Sequence, residues 1–416
     1  MINLVNKIFE LARQQEIPFV FIRPKSIKEP DIYSGDFDIL IKPECLNSFL
    51  VLVHQQCAMT GTNFSINRTK KEKTNLILFS SDSENKVEYD LWTELDVKDS
   101  SLAKSTHISW DTLTSSKNIV QHGTSYELEH NFSALFYLSH LYSKNKDLNN
   151  QEVQSRLNYF RELEGVEDST QQLLHSVDKK SLLQANQILK SQNLLSHSSL
   201  DRMNRIYHRF QTDISRKSGL LTVVGPDGVG KTTVIEQLEK KYKAKYFRFK
   251  KLFRKAISYK LLLTISKKAL EKQEEKKIAK NQFDDLQCAK LFWISIPSGY
   301  WLALKARFGK KKIIDRFYLD LLIKGSRFLD KEVKLIPQAT RWINIAPTPT
   351  CIIQLDAPSD VILARKEELS SHAIDKFRHL YFDVSLASKA PYYVYINTQN
   401  SIESTFQFLN KLELKF

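Results

Sequence analysis

A glycine-rich loop between an apolar segment and a helix-like segment constrains this 416-residue chain most. The apolar segment LLTVVG (220–225) leads into GPDGVGKT (225–232), which satisfies the pattern G-x-x-x-x-G-K-[ST] and precedes VIEQLEKKYK. Glycines let the backbone turn its N–H groups inward, and the helix adds its positive N-terminal end, so such a loop suits phosphate. The strand before it and the helix after it argue against an accidental match. The sequence therefore predicts a nucleotide-binding α/β domain.

Each position of this loop has an expected role in holding ATP and Mg²⁺. Lys231 is expected to place its cation between the β- and γ-phosphates, and the Thr232 hydroxyl is an expected Mg²⁺ ligand. The other loop residues are expected to line the nucleotide site, and they are Gly225, Pro226, Asp227, Gly228, Val229, Gly230 and Thr233.

Three segments resemble the thymidylate kinase family, and they occur in that family's order. GPDGVGKTT has an acidic third position, and KKIIDRFYLDLL (311–322) resembles the family's strand that ends in Asp-Arg before an aromatic residue. CIIQLDAPSDVILARKEEL (351–369) resembles its later strand, its Leu-Asp-x-Pro segment and the helix that leads into its lid. The resemblance covers about 200 residues and implies a P-loop kinase domain over 216–416, with a parallel sheet flanked by helices.

The resemblance also implies roles for individual side chains. Asp315 is expected near Mg²⁺ and the attacking group, and Arg316 is expected to hold the acceptor or the transferring phosphoryl group. Arg365 and Lys366 are expected to approach the phosphates as the lid closes, and Asp227 is expected to touch an acceptor hydroxyl. Positioned cations are the main way a protein stabilises the charge that develops in phosphoryl transfer. The alternatives are a structural Asp315–Arg316 ion pair and a solvated helix face for Arg365 and Lys366.

Two segments depart from thymidylate kinases proper, which usually carry Arg-Glu-Pro-Gly after the second strand and an Arg-rich helix that reads thymine. This chain has KYFRFKKLFRK (245–255) and FDDLQCAKLFWISIPSGYWLAL (283–304) in those places. It therefore resembles divergent members of the family associated with bacterial surface polysaccharide synthesis. That resemblance implies an ATP-dependent kinase with a carbohydrate or glycan-linked acceptor. A nucleoside monophosphate kinase and a non-catalytic nucleotide-binding regulator or scaffold are the alternatives.

Carboxylates at alternate positions mark a strand-like segment near the N-terminus. Asp36 and Asp38 in DFDILI point to the same side of a strand, and Asp90 in VEYDLW is a candidate third ligand from a neighbouring strand. Three converging carboxylates suit a Mg²⁺ site. The pattern resembles the nucleotidyltransferase fold, which implies an α+β domain over 1–125.

The Gly-Ser segment that this fold normally uses to hold a triphosphate is missing. Arg23, Lys25 and Ser26 in RPKSIKEP are the available substitutes. An active second site and a degenerate, acceptor-binding or regulatory domain therefore both stay open. Between the two domains, residues 126–215 repeat Leu, Phe and Tyr at helical spacing and predict a connector of three or four helices.

Isolated histidines and a late helix give weaker signals. His130 and His140 lie ten positions apart with no third ligand at metal spacing, so we expect capped or core histidines rather than a metal site. Arg378 and Tyr381 in DKFRHLYFDV match positions where the kinase family often faces the nucleotide. A packing role for these two residues is equally consistent with the pattern.

The charge is concentrated in one stretch. The chain has 62 Lys and Arg against 47 Asp and Glu, a net charge of +15, while residues 240–312 hold 22 basic and 5 acidic residues, or +17. Such a stretch suits a polyanion or is a solvated lysine-rich face. LFWISIPSGYWLALKARFGKKK (291–312) fits a helix at an anionic membrane surface or, as we favour, a buried core helix that ends in lysines. No RNA- or DNA-reading motif accompanies it.

Cysteine usage and hydropathy place the chain in the cytoplasm. Four cysteines, Cys45, Cys57, Cys288 and Cys351, are widely spaced without a C-x-x-C pair, which argues against a zinc site and a disulfide framework. No apolar run reaches the ~18 residues of a membrane-spanning helix. We therefore expect a cytoplasmic enzyme, with peripheral contact at the inner membrane face as the open alternative.

Overall fold

The computed structural model of the protein describes most of the chain as a mixed α/β fold. The described residues are 1–22, 36–68, 70–80, 85–99, 104–192, 199–249, 280–324, 334–335, 339–367 and 369–412.

The N-terminal part of the chain is rich in strands. In chain order its elements are α1 (Ile2–Gln14), β1 (Phe19–Phe21), β2 (Asp36–Ile41), α2 (Leu46–Thr60), β3 (Asn63–Arg68), β4 (Lys73–Phe79), β5 (Lys86–Trp92), β6 (Glu94–Asp99), β7 (Lys104–Ser109), α3 (Trp110–Ser115), β8 (Ile119–His122) and β9 (Ser125–Leu128).

A helical section follows, and the chain then alternates between strands and helices. The helices of the middle section are α4 (His130–Lys144), α5 (Gln151–Glu162), α6 (Asp168–His175), α7 (Lys179–Ser191) and α8 (Ser199–Arg216). The remaining elements are β10 (Leu220–Val224), α9 (Lys231–Tyr242), β11 (Lys245–Arg248), α10 (Lys280–Arg307), β12 (Lys312–Asp315), α11 (Leu319–Leu322), β13 (Ile323–Lys324), β14 (Lys334–Leu335), α12 (Ala339–Trp342), β15 (Cys351–Asp356), α13 (Ser359–Arg365), α14 (Ser371–Ala387), β16 (Tyr392–Asn397) and α15 (Ile402–Lys411).

Contacts divide the chain into two compact units that differ in detail from the predicted domains. Unit 1 consists of Met1–Val53, Thr69–Ile77 and Val87–His208, and unit 2 of His54–Arg68, Leu78–Lys86 and Arg209–Phe416. The predicted connector therefore contributes most of its length to the same unit as the N-terminal strands. Unit 2 includes β3, which a boundary drawn from composition could not assign to it.

Unit 1 combines a small sheet with the helices of the middle section. Its strands run in the order β1-β2-β5-β4, and β2 pairs with β5 in parallel, so that Asp38 lies opposite Asp90. The ribbons β6–β7 and β8–β9 are antiparallel. The core of this unit is closed by buried aliphatic and aromatic side chains of α4, α5, α6 and α7, such as Leu135, Leu157, Leu174 and Leu189.

The middle section contains more helices than the three or four that periodicity predicts. The described residues form α4 to α8, because polar caps divide one long apolar pattern into shorter helices. The Glu129 side chain accepts hydrogen bonds from the first N–H groups of α4, and a reciprocal pair between Asp178 and Ser181 starts α7. Helix caps are local hydrogen bonds, and hydrophobic spacing alone does not report them.

Unit 2 contains a parallel sheet with β10 near its centre. The order is β11-β12-β10-β15-β16, all parallel, and β3 lies antiparallel beside β16. Every residue of β10 is buried, as expected for a strand covered on both faces. Strand β12 lies on one side of β10 and strand β15 on the other, so the order of strands along the chain changes direction at β10. In open α/β sheets, such a switch point forms a crevice beyond the carboxyl ends of the strands.

Helix α10 has two different faces in unit 2. Phe292, Ser295, Leu302 and Ala306 are buried, and the Tyr318 hydroxyl donates to the backbone oxygens of the helix near Ser295. A Cβ on Gly299 would lie 1.4 Å from the Tyr318 oxygen, so this face needs glycine for close packing. Among the described residues, no helix has both the length and the hydropathy needed to cross a bilayer.

Candidate functional site

The glycine-rich loop lies at the switch point of the unit 2 sheet, between β10 and α9. Gly225 has a φ of +142°, and a Cβ at this position would lie 2.3 Å from the backbone oxygen of Leu355. Gly228 and Gly230 also have positive φ values, +97° and +86°. Gly230 is the N-cap of α9, and no side chain in the described part of the chain caps this helix. The loop therefore presents a helix N-terminus, which favours an anion.

Lys231 is held by oxygen atoms of the loop itself. Its Nζ donates to the backbone oxygens of Gly225 at 3.0 Å and Pro226 at 2.6 Å, and to Asp227 Oδ1 at 3.2 Å. Burial lowers the pKa of Lys231 to about 8, and the Arg316 charge acts in the same direction, while Asp227 opposes both. Phosphate oxygens could replace these acceptors one for one, so the ammonium group is already positioned for a polyphosphate.

Arg316 follows β12 in an unusual backbone conformation that directs its guanidinium toward the loop. Arg316 and Phe317 have φ values of +65° and +43°, a region that non-glycine residues rarely adopt. The guanidinium is ion-paired with Asp227 and donates to Asp320 at 3.0 Å. Burial alone lowers the pKa of Arg316, but Tyr381 and the two carboxylates outweigh it and raise that pKa. Arg316 therefore stays charged.

Asp227 is the shared anion of this cluster. Burial raises its pKa, but Lys231 and Arg316 outweigh that effect and lower the pKa to about 2. At neutral pH the carboxylate is therefore ionised and can accept hydrogen bonds. The structure brings Asp227, Lys231 and Arg316 together from two segments that are 85 positions apart.

Asp315 is the last residue of β12 and lies beside this cluster. One of its carboxylate oxygens accepts no hydrogen bond from the described residues. Its Oδ1 is buried and has no hydrogen-bond partner in the described part of the chain, although Arg316 Nε lies 3.8 Å away. Burial raises the pKa of Asp315, while Arg316 and Lys231 oppose the rise. A buried carboxylate oxygen that accepts no hydrogen bond fits a Mg²⁺ ligand. Thr232 is exposed at the start of α9, and Mg²⁺ often takes one or two protein ligands plus substrate phosphates.

Asp320 and Tyr381 position this cluster, a role that the sequence pattern did not indicate for either residue. Asp320 accepts from Arg316 and also from the hydroxyl of Tyr381 at 2.9 Å. Tyr381 is 1% exposed, so this hydroxyl anchors Asp320 from α14. Asp320 could have been found from its spacing, four residues after Arg316. Arg248 lies opposite Asp315 in the β11–β12 register, and its charge opposes the rise that burial causes in the Asp315 pKa.

The predicted lid residues lie near the loop but make different contacts. Arg365 donates to the backbone oxygen of Thr398 at 2.7 Å and to its hydroxyl at 3.3 Å, and that hydroxyl donates to the oxygen of Val229. Lys366 lies beside Gly228, since a Cβ on that glycine would be 3.4 Å from the Lys366 Cβ. Both residues are exposed. Arg365 thus links the segment after β16 to the glycine-rich loop.

Arg378 forms a buried ion pair with Asp356 at the end of β15. Its Nε and Nη2 donate to the two Asp356 oxygens at 2.6 and 3.1 Å, and Tyr395 donates to the same carboxylate at 2.7 Å. Asp356 is fully buried. Of the two interpretations left open by the sequence for Arg378, these contacts support the packing role.

The N-terminal carboxylates are adjacent but already have protein partners. Asp38 Oδ1 accepts from Trp92 Nε1 at 3.0 Å, while Asp90 is ion-paired with Lys73 and accepts from Asn75 at 3.1 Å. The described residues contain no group of three or more His, Cys, Asp or Glu side chains arranged to hold a metal ion. The Asp36 side chain and the predicted substitutes Arg23, Lys25 and Ser26 lie outside the described residues.

Among the described residues, His130 and three of the cysteines have structural surroundings. His130 forms a hydrogen bond with the backbone oxygen of Glu164. Three of the cysteines, Cys45, Cys57 and Cys351, are free thiols, and the side chain of Cys288 lies outside the described residues. Burial raises the pKa of the Cys57 and Cys351 thiols, which makes these two groups unreactive.

Comparison with known proteins adds no assignment to this geometry. No protein-family model matches the chain, and no curated protein matches it at a significant level. Functional conclusions therefore depend on the residues and contacts described above.

Proposed function

We propose that unit 2 is an ATP-dependent phosphotransferase of the thymidylate kinase-like type. In this proposal it transfers the γ-phosphoryl group of ATP to a hydroxyl of a carbohydrate or glycan-linked acceptor, in bacterial surface polysaccharide synthesis. The observation that carries the proposal is the position of the glycine-rich loop. It lies at the switch point of a parallel sheet, next to Asp315 and Arg316 at the end of the neighbouring strand.

Each side chain of the cluster has a role in the proposed phosphoryl transfer. The loop N–H groups and Lys231 bind the β- and γ-phosphates, with Lys231 leaving its three oxygen partners. Asp315 and Thr232 would hold Mg²⁺, which would neutralise phosphate charge. Arg316, positioned by Asp320, stabilises the charge on the transferring group. Asp227 accepts a hydrogen bond from the acceptor hydroxyl and orients it.

A nucleobase-reading arginine is missing from the segment where thymidylate kinases carry one. Residues 283–304 contain no arginine, and the described side chains that they bury are Phe292, Ser295 and Leu302. An apolar face with one hydroxyl has little capacity to recognise a pyrimidine edge. This composition argues against recognition of a nucleobase by this segment.

The proposal is tested by measuring Mg²⁺-dependent ADP formation with a panel of acceptors. The panel contains dTMP, other nucleoside monophosphates, simple sugars and lipid-linked glycans. We expect turnover with a sugar-type acceptor, its loss in Lys231→Ala, and wild-type turnover in Lys240→Ala, an exposed lysine of the same helix. Preference for dTMP would establish the nucleoside monophosphate kinase instead. ATP binding without turnover on any acceptor would favour the regulator.

The exposed face of α10 supports a membrane-bound acceptor. The expectation of a buried helix is wrong for this face, because large apolar side chains on it are 44–79% exposed, namely Trp293, Tyr300, Trp301, Leu304 and Phe308. Three cations near the end of this helix are also exposed, namely Lys305, Arg307 and Lys310. Aromatic side chains combined with cations suit an anionic lipid surface, whereas two copies of this basic face would repel each other. We propose that this face docks on an anionic bilayer.

Vesicle co-sedimentation tests this docking. We expect binding to vesicles that contain anionic lipid, weaker binding to neutral vesicles, and loss of binding in Leu304→Ser/Phe308→Ser. Ile402→Ser is the matched control, since Ile402 is 47% exposed on a different helix. Equal binding of the control and the double variant would refute the assignment, and so would concentration-dependent self-association through this face.

A further inference from the structure

Unit 1 contains a cavity that the proposed kinase does not use. It has a volume of about 640 Å³ and lies among β2, β5, β6, α4 and α5. We call it the unit-1 cavity. The residues that carry the following argument are Asp38, Asp90, Asp96, Lys70, Lys146 and Arg156, all of which line it.

The carboxylates on the strand side of the unit-1 cavity are compensated by protein groups. Trp92 donates to Asp38, and Lys73 is ion-paired with Asp90. The Lys70 ammonium donates to Asp96 Oδ2 at 3.0 Å. A divalent cation here would have to displace lysine ammonium groups and an indole N–H. This charge pattern is therefore unfavourable for a metal and leaves the cavity suited to a metal-free ligand.

Two buried polar atoms of complementary type remain unsatisfied at this cavity. Asp96 Oδ1 is a buried acceptor, and Arg156 Nε is a buried donor, and neither has a hydrogen-bond partner in the described part of the chain. The Asp96 side chain is 6% exposed and the Arg156 side chain 13% exposed, so bulk water reaches them poorly. Buried polar atoms are normally satisfied, so two unsatisfied atoms on side chains that line one cavity point to a ligand.

A ligand that satisfies both atoms must donate a hydrogen bond to Asp96 Oδ1 and accept one from Arg156 Nε. A sugar hydroxyl can donate to Asp96 Oδ1, whereas an inorganic anion would be repelled there. Arg156 Nε requires an acceptor, and Lys146 is an exposed cation that lines the same cavity. Arg156 Nη2 is already ion-paired with Glu152 at 3.1 Å. A phosphate group can accept from the remaining Arg156 Nε and pair with Lys146, whereas a neutral sugar leaves Lys146 without an anion from the ligand.

We propose that the unit-1 cavity binds a phosphorylated sugar without a metal ion. Its hydroxyl groups donate to Asp96, and its phosphate is held by Arg156 and Lys146. The site lies wholly within unit 1 and does not depend on the kinase assignment of unit 2.

Calorimetric titration of the full-length protein in EDTA tests this site. The probes are glucose 1-phosphate, galactose 1-phosphate, glucose 6-phosphate, glucose and inorganic phosphate, at millimolar concentration. The protein carries Lys231→Ala so that the phosphate loop of unit 2 contributes less binding. We expect at least one sugar phosphate to bind about tenfold or more tightly than both glucose and inorganic phosphate.

Three cavity variants and one control locate the binding. Arg156→Gln and Asp96→Asn should each weaken the sugar phosphate about tenfold, which corresponds to the loss of one hydrogen bond to a charged group. Lys146→Gln changes an exposed side chain and tests the site even where a buried variant does not fold. Lys179→Gln, an exposed lysine of α7 that does not line the cavity, should bind as the parent does.

Several results would overturn the proposal. Equal affinity for inorganic phosphate and every sugar phosphate would make this a simple anion site. Binding that requires Mg²⁺ would restore the metal interpretation. Unchanged affinity in Lys146→Gln together with Arg156→Gln would place the ligand elsewhere, and no binding by any probe would leave the cavity without the proposed ligand.

Discussion

Replacing Arg378 with methionine should destabilise unit 2 severely. Methionine keeps much of the side-chain volume but removes the bidentate hydrogen bonds to Asp356, whose donor–acceptor distances are 2.6 and 3.1 Å. Asp356 is 0% exposed, so its carboxylate cannot recover these bonds from water. Tyr395 would remain as a hydrogen-bond donor to it.

The size of the effect follows from these contacts. Removing one partner of a buried ion pair costs about 3–5 kcal/mol, because the remaining charge is uncompensated. The Tyr395 bond keeps the expected loss near the lower end of that range. The pair between Arg378 and Asp375 adds little, because Asp375 is 44% exposed and exposed pairs are worth about 0–1 kcal/mol. We therefore expect the free energy of unfolding to fall by about 3 kcal/mol.

Urea unfolding followed by circular dichroism measures this change. With a slope near 2–3 kcal/mol per molar urea, the midpoint should fall by about 1 M. Tyr395→Phe removes one hydrogen bond to the same carboxylate and should cost less, about 1.5–3 kcal/mol. Nucleotide affinity of folded Arg378→Met, measured at low temperature, should be close to the wild-type value.

A midpoint shift below about 0.3 M in Arg378→Met would contradict the buried-pair argument. Loss of nucleotide binding with unchanged stability would instead assign Arg378 to ligand recognition. These two outcomes separate the two interpretations that the sequence left open.

Three further perturbations have defined outcomes. Gly225→Ala should abolish nucleotide binding and lower the melting temperature, because its Cβ would lie 2.3 Å from the Leu355 oxygen at a φ of +142°. Nucleotide affinity should weaken above pH 8, approaching about tenfold per pH unit, since the pKa of Lys231 is about 8 and the neutral amine binds phosphate poorly. Gly299→Ala should cost about 1–3 kcal/mol in a thermal unfolding assay, because the new methyl group would overlap Tyr318.

Matched variants control these experiments. Gly123→Ala has a φ of +61° and open space, so it should cost about 1 kcal/mol and leave nucleotide binding intact. Lys231→Arg keeps its charge at high pH, and a weakening above pH 8 that persists in this variant would show that another group titrates. Tyr318→Leu should reduce the cost of Gly299→Ala, and independent effects of the two changes would contradict the predicted overlap.

Local patterns were sufficient to predict the conformation of the glycine-rich loop and the strands around it. The loop motif specifies glycines at two positions that require positive φ, and Gly225 and Gly230 have such values. The apolar runs at 220–224 and 351–356 are buried strands, because a parallel strand covered on both faces needs no polar alternation. These signals depend on residues within one or two turns of the chain.

Contacts between distant segments could not be predicted in this way. Strand β3 has the mixed sequence NFSINR, and it was missed because its burial comes from pairing with β16, more than 300 positions later. The Tyr381–Asp320 bond that positions Arg316 likewise joins separate helices. Residues that contact each other across such sequence distances leave no periodic pattern in the local sequence.

The sequence by itself determined which groups could do chemistry, and the tertiary structure decided how each group is compensated. Asp38, Asp90 and Asp315 are all strand carboxylates suited to a metal. The fold pairs Asp38 and Asp90 with protein donors, while Asp315 keeps a buried oxygen without a hydrogen bond in the described part of the chain. Whether a carboxylate can take a cation depends on the charges within a few ångströms of it, and folding brings those charges from distant positions.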